Sequence, residues 1–265
     1  MKVPVHDKKA ESKRSVNLPK QFDTPLREDL IRRAVAAAWK NRVQPYGHKK
    51  LAGRRSSAVF SGVRRGYGHS YNWGVARVPR LMIRGGRRVG KVVNVPQAVG
   101  GPRVHGPTAE RKWSVRLNQK ERRLAIRSAI AATADINIVT KRGHKVGDKF
   151  PLVLEGIEDL KKTKEVIDLL IALGLSAELE RASVKKVRAG RGTSRGRTYK
   201  KAKGPLIVVS KVCPLIKAAN NIPGVNIVAV NQLNAESLAP GAHPGRLTLY
   251  TAEALEKMEK ENLFF

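Results

Sequence analysis

Between Asp29 and Glu110 the chain has no carboxylate, while Lys and Arg recur throughout, among them Arg54, Arg55, Arg64, Arg65, Arg77, Arg80, Arg84, Arg87, Arg88, Lys91 and Arg103. A stretch of that composition repels itself on compaction unless a polyanion lies against it. It also holds about half of the 23 glycines. A second acid-free stretch runs from Arg181 to Ala235 and crowds its basic residues into Lys185 to Lys203. The balance of 53 Lys plus Arg against 21 Asp plus Glu, a formal +32, follows mainly from these two blocks. The expected partner is therefore nucleic acid.

Other classes are excluded by what the chain lacks. Membrane anchoring would need a lipidation signal or an amphipathic helix with a large apolar face, and neither is visible. No apolar run approaches the roughly 20 residues needed to cross a bilayer. Met1 to Asn17 is polar and carries Asp7 and Glu11, so it has no signal-peptide centre. We expect a soluble, intracellular protein. The single cysteine, Cys213, forbids an internal disulfide and any multi-cysteine zinc site.

Outside the basic blocks the periodicity is that of an α/β protein with a mostly parallel sheet and flanking helices. Leu26, Leu30, Ile31, Ala34, Val35 and Ala38 recur at helical spacing, with Thr24 as N-cap, Pro25 at the first helical position and an end near Arg42. Asn118 followed by Glu121 resembles a capping box opening a second helix through Ala132. Strands are expected at Leu152–Leu154, Leu206–Val209, Val225–Val230 and Leu247–Tyr250. Helices are expected at about Asp159–Leu173, Pro214–Asn220 and Ala252–Glu261, the last opened by Thr251. These segments assign residues 1–44 and 114–265 to one globular unit. Residues 45–113 have no sustained period and too little apolar surface to fold alone, so we read them as a long extended, non-globular internal loop ordered against RNA. Residues 184–204 form a second basic RNA-binding segment.

Motifs that could carry catalysis fail on their chemistry. Gly85-Gly86-Arg87-Arg88-Val89-Gly90-Lys91 matches part of a phosphate-binding loop, but Val92 stands where a hydroxyl must hold magnesium. Gly190-Arg191-Gly192-Thr193-Ser194-Arg195-Gly196 has its third glycine one place late for a dinucleotide fingerprint and lacks the acid about 20 residues on. His6, His48, His69, His105, His144 and His243 are scattered, which points to surface or RNA-facing roles. Cys213 reads as packing, and the carboxylate pairs Glu158–Asp159 and Glu178–Glu180 read as solvated helix faces. Phe60, Tyr67, Tyr71 and Trp73 lie in or beside the acid-free glycine region, placed to stack on unpaired bases.

Several stretches together resemble the universal large-subunit ribosomal protein four family in its archaeal and eukaryotic form, over nearly the whole chain. They are Asp29–Val35; Glu121–Ala129 with Lys141-Arg142-Gly143-His144; Arg188–Gly192 with Arg195 and Arg197; Asn221–Val225; and Leu238–Leu247. The resemblance implies an α/β domain on the outer part of the large subunit. It also implies a loop, here Pro45 to Trp113, threaded through ribosomal RNA to line a narrow part of the polypeptide exit tunnel. The family's loop pattern matches at Gly74–Arg80, Gly85–Arg88 and Val95–Gly101. Tunnel-loop roles are thereby expected for Tyr71, Trp73, Gly74, Arg77, Val78, Pro79 and Arg80. Ribosomal RNA contacts are expected for the arginines and Lys91 named first, and for Arg188, Arg191, Arg195, Arg197, Lys200 and Lys201. The implied partners are large-subunit ribosomal RNA, neighbouring ribosomal proteins and the nascent polypeptide, in a cytoplasmic ribosome, with no cofactor, metal or catalytic residue. A free-standing basic RNA-binding regulator and an RNA-modifying enzyme with basic arms are the competing readings.

Overall fold

The computed structural model describes residues 1–60, 62–65, 70–81, 90–147 and 149–265. The chain falls into two units, Met1–Arg42 with Ser114–Phe265, and Val43–Trp113. In chain order the elements are β1 (Lys2–His6), β2 (Ser12–Asn17), α1 (Glu28–Arg42), β3 (Ala58–Val59), β4 (Arg80–Leu81), α2 (Gln119–Ala132), α3 (Ile136–Lys141), β5 (Leu152–Leu154) and α4 (Thr163–Ala172). There follow α5 (Ser176–Ser183), β6 (Lys185–Val187), β7 (Tyr199–Lys201), β8 (Leu206–Val209), α6 (Pro214–Ala219), β9 (Asn226–Ala229), α7 (Ala235–Leu238), β10 (Thr248–Thr251) and α8 (Ala252–Lys260).

The first unit is built on a six-stranded sheet in the order β2-β1-β5-β10-β8-β9. All neighbours are parallel except the β1–β2 pair at one edge. Successive side chains of a strand point to opposite faces, so a strand covered on both sides must be apolar at every position. The strands β5 and β8 meet that requirement, and β10 buries Leu249 and Tyr250 between two threonines whose hydroxyls are hydrogen-bonded. Val153, Leu206, Val208 and Tyr250 join Val3 and Val5 under α1, α2 and α8, packing with Ile31, Val35, Ile126, Ala129, Ile130, Leu255 and Met258. Their neighbours Leu152, Leu154, Ile207, Val209 and Leu249 face the other way, onto Val166, Leu169 and Leu170 of α4 and Leu215 and Ala218 of α6. Each such side chain contributes roughly 1.5–3 kcal/mol by leaving water. These two layers give the frame its stability.

Several sequence expectations are corrected at element ends. The first helix begins at Glu28, not beside Thr24, because Ser128 of α2 accepts a hydrogen bond from the Arg27 N–H at 2.7 Å and donates to the Pro25 carbonyl at 3.1 Å. A buried serine on the neighbouring helix thus satisfies the chain where a local cap was expected. Asn118 does precede α2, but its side chain makes no cap; Glu121 pairs with Arg33 of α1 at 3.3 Å instead. α4 starts at Thr163, four residues later than expected. Thr251 opens α8 as anticipated, its hydroxyl accepting from the Ala254 N–H. The polar start of the chain, for which no strand was expected, forms β1 and β2: Val3 and Val5 alternate into the core, while β2 presents charged residues along an exposed edge.

Arg246 is buried at 2% exposure with no carboxylate partner among the described residues. Its guanidinium donates to the carbonyls of Gly204 (2.9 Å) and Ser237 (2.9 Å) and to the Asn226 side chain (2.7 Å), joining the approaches to β8, β9 and β10 to the end of α7. Burial, with Arg142 nearby, lowers its pKa to about 10, so it stays charged at neutral pH. Replacing Arg246 by Leu strands these acceptors in the interior and is expected to destabilise the chain by roughly 3 kcal/mol or more, read from urea unfolding; a loss under 1 kcal/mol would show that the clip is dispensable.

Candidate nucleic-acid interface

The segment 184–204 is a two-stranded antiparallel ribbon, β6 against β7, with Lys185 opposite Lys201, Lys186 opposite Lys200 and Val187 opposite Tyr199. Directly opposed like charges destabilise a ladder. Every residue of both strands is exposed. Beyond Val187 the ribbon is continued by the Arg188 N–H donating to the Thr198 carbonyl at 2.7 Å, and it ends in a short turn at Thr193–Arg195. That turn is held by the Thr193 hydroxyl on the Arg188 carbonyl and the Ser194 hydroxyl on the Arg191 carbonyl. Gly190, at φ +83°, and Gly196, at φ +74°, take left-handed conformations at the turn that side-chain-bearing residues avoid. Arg188, Arg191, Arg195, Arg197, Lys200 and Lys201 are all exposed. The sequence marks this ribbon by a symmetry that composition hides: Lys-Lys-Val before a glycine-rich turn and Tyr-Lys-Lys after it. Lys185, Lys186 and Tyr199 therefore join the site residues expected from charge alone.

In the unit Val43–Trp113 the base is closed by a Tyr46–Trp113 ring contact, centroids 4.7 Å apart, and by the His48 N–H on the Pro107 carbonyl. β3 pairs with β4 antiparallel, and Val92 bridges to Arg80. Arg80 turns inward, donating to the carbonyls of Gly90 (2.8 Å) and Ala76 (3.1 Å). Gly101 must be glycine, since a Cβ there would stand 2.0 Å from the Val95 carbonyl oxygen. Arg54, Arg55, Arg64, Arg65, Arg77, Lys91 and Arg103 are exposed. Tyr71 lies beneath two guanidinium groups, Arg77 at 4.7 Å and Arg64 at 5.5 Å from its ring centroid. Such contacts hold a ring through the attraction of a cation for its face. Trp73 is exposed at 68%, Gly74 is left-handed at φ +68°, and Val78 and Pro79 are half-buried. Arg84, Arg87, Arg88, Tyr67, His69 and most of the expected Gly85–Val92 motif lie outside the described residues.

The frame corrects two readings of its titratable residues. His6 and His144 are buried, not surface groups, and Glu158 and Glu178 are buried where solvated faces were expected; Asp159 and Glu180 are exposed as anticipated. Glu158 accepts from the Ser210 N–H and hydroxyl and the Thr251 hydroxyl, tying the ends of β8 and β10 together. Glu178 takes two bonds from Arg181, at 2.7 and 2.6 Å, one from the Lys145 N–H, and one from His144 Nδ1 at 2.7 Å. Nδ1 must carry the proton to donate to that carboxylate, so the nearby Arg181 nitrogen competes with it for the same oxygen. Cys213 is buried, and burial together with Glu158 pushes its thiol up. Among the described residues no group of three or more His, Cys, Asp or Glu is placed to hold a metal, and no helix is long and apolar enough to cross a membrane.

An α/β frame with helices on both faces of its sheet, two carboxylates kept inside and an exposed lysine–arginine ribbon defines a strongly basic α/β protein. A model of the ribosomal protein L4/L1 family matches residues 16–261. The chain belongs to that family. Its relatives include the large ribosomal subunit protein uL4 of Nanoarchaeum equitans, 46% identical over 268 residues and all of both chains. Those of Methanopyrus kandleri, 46% identical over 98% of each chain, and Methanococcoides burtonii, 48% identical over 96% of each, are similarly close.

Two tests follow from the charges. Burial raises the Glu178 carboxyl, but the bonds from Arg181, His144 and Lys145 outweigh it and hold the group at about 2 against an ordinary 4.5. The folded state therefore binds fewer protons. The resulting stabilisation, roughly 3 kcal/mol, is complete above pH 4.5 and lost as pH falls toward 2. His144 is held below 6.5 chiefly by burial, so its contribution also declines as pH drops beneath 6.5. Urea unfolding should show a steeper acid loss for the natural chain than for Glu178→Gln; parallel curves would refute the assignment. In the ribbon, Lys186→Glu creates an attractive rung with Lys200. It should slow amide exchange across β6–β7 in the free protein while weakening RNA association, and unchanged binding would remove that rung from the interface.

Proposed function

We propose that the protein is a structural component of the large ribosomal subunit that binds ribosomal RNA, and that residues 45–113 follow that RNA to line part of the polypeptide exit tunnel. The observation that carries the RNA reading is the ribbon β6–β7, where two rungs of lysine face lysine beneath an exposed arginine turn. Nothing in the ribbon neutralises these charges, and phosphates would. Basic side chains that displace counterions from RNA gain affinity that falls steeply with salt. Arginine forks suit phosphate oxygens, and the spread of charge along two segments suits RNA shape and backbone more than a short base code. The names of the archaeal relatives support membership of the large subunit.

The tunnel role rests on the resemblance of Gly74–Arg80 and Val95–Gly101 to the family's loop. Exposed Trp73 and Arg77 are the positions placed to meet a nascent polypeptide, and neighbouring ribosomal proteins complete the surroundings. The protein so read supplies shape and charge, with no catalytic step, in the cytoplasmic ribosome.

In a gradient of cell extract at low salt the protein should travel with large subunits; a pool confined to the top would contradict the scaffold role. Changing Arg188, Arg191, Arg195 and Arg197 together to Ala should reduce the slope of log affinity against log salt by about 3 for a structured ribosomal RNA fragment. An unaltered slope would take the arginine turn out of the contact surface.

A further inference from the structure

The frame contains a cationic cleft that the arms do not account for. It has a volume of about 740 Å³ and is walled by Arg32 of α1, Lys141 and Arg142 at the end of α3, Arg181 of α5, and Lys203. Glu28 is the only carboxylate among the described lining residues, and Arg32 already pairs with it at 2.9 Å. The floor is short of negative charge as well. Glu178 is committed to Arg181 and His144. Arg142, more than half-buried, has its guanidinium on the Pro240 and Pro244 carbonyls, at 2.5 and 3.4 Å, with no acid partner among the described residues. Arg246 behind it is likewise served only by neutral acceptors among the described residues. Burial depresses both guanidinium groups to about 10, so each is still charged at neutral pH.

Cations withdrawn from water without counter-ions are costly, and an anion entering the adjacent cleft offsets that cost. The cleft is also continuous with the ribbon. Arg181 and Ala202 line both it and the smaller hollow bordered by Lys186, Lys200 and Lys201, and the Arg181 guanidinium donates to the Lys203 carbonyl at 2.8 Å. From these features we propose that the cleft seats a backbone phosphate of the RNA strand that the ribbon grips, with Lys141 and Lys203 closing on it from the rim and Arg142 beneath. The inference rests on the RNA reading above and adds a fixed phosphate seat on the globular frame to the contacts of the arms.

Lys141 and Lys203 are exposed, so the double variant Lys141→Gln/Lys203→Gln is expected to fold. Two measurements on the full chain test the seat. In the absence of RNA, pyrophosphate well above its dissociation constant should raise the melting midpoint of the natural chain by roughly 3 °C and that of the double variant by less than half as much. With a structured RNA fragment, the double variant should lose about 1.5 from the salt slope. The proposal is overturned by equal pyrophosphate shifts in the two proteins, by an equal rise with a poly-glutamate peptide of matched charge, or by an unchanged salt slope. If the natural chain shows no salt-dependent RNA binding at all, the RNA reading itself has failed. If it binds, and only the arginine-turn variant loses slope, the seat alone is wrong.

Discussion

Repulsion among unneutralised cations is the constraint on which the rest of this molecule depends. A chain with 53 basic and 21 acidic residues can remain compact only if the excess is kept apart or offset. The frame does both. Its strands β5, β8 and β10 are buried throughout, the first two wholly apolar, so hydrophobic burial on both faces outweighs repulsion at the rim. Two of its carboxylates are drawn inside, Glu158 to tie strand ends and Glu178 to hold His144 and Arg181. Acids that stay outside, such as Glu121 and Glu236, meet arginines of α1. Most of the remaining positive charge lies in the two segments that contain no acid.

That division explains why the interface differs in construction from the frame. In the frame, the buried charges Glu158, Glu178 and Arg246 have geometric partners and definite hydrogen bonds, Arg246 being satisfied by oxygens from several segments. In the ribbon β6–β7, backbone bonds and glycine turns fix the shape while the side chains are left without opposite charges. The unit Val43–Trp113 uses backbone turns, the Arg80 clip and the Tyr71 stack in the same way.

Much of this was legible in the sequence, for identifiable reasons. Continuous apolar runs announced β5 and β8 at their observed limits, and Thr251 announced α8, because each signal is local. The start of α1 was not legible, since its cap is a serine a hundred residues away on α2. Nor were the buried roles of His144 and Glu178: a histidine beside Lys and Arg looks solvated until the fold brings a carboxylate from α5 against it. β1 was missed because two valines among polar residues are a weak signal until the sheet covers them. For the candidate interface, charge density marked the two segments, whereas the pairing of lysine with lysine required the strand register. The cleft under Arg142 was hidden more deeply, as its walls come from four separate parts of the chain.

The register of that ribbon carries a geometric consequence. Consecutive rungs of a pleated ladder project to opposite sides, so Lys185 with Lys201 and Lys186 with Lys200 cannot be quenched by one strand of anions lying along a single surface. Complete relief requires negative charge above and below at once. The ribbon therefore presents positive charge on both of its faces, so no single flat surface of anions can satisfy it.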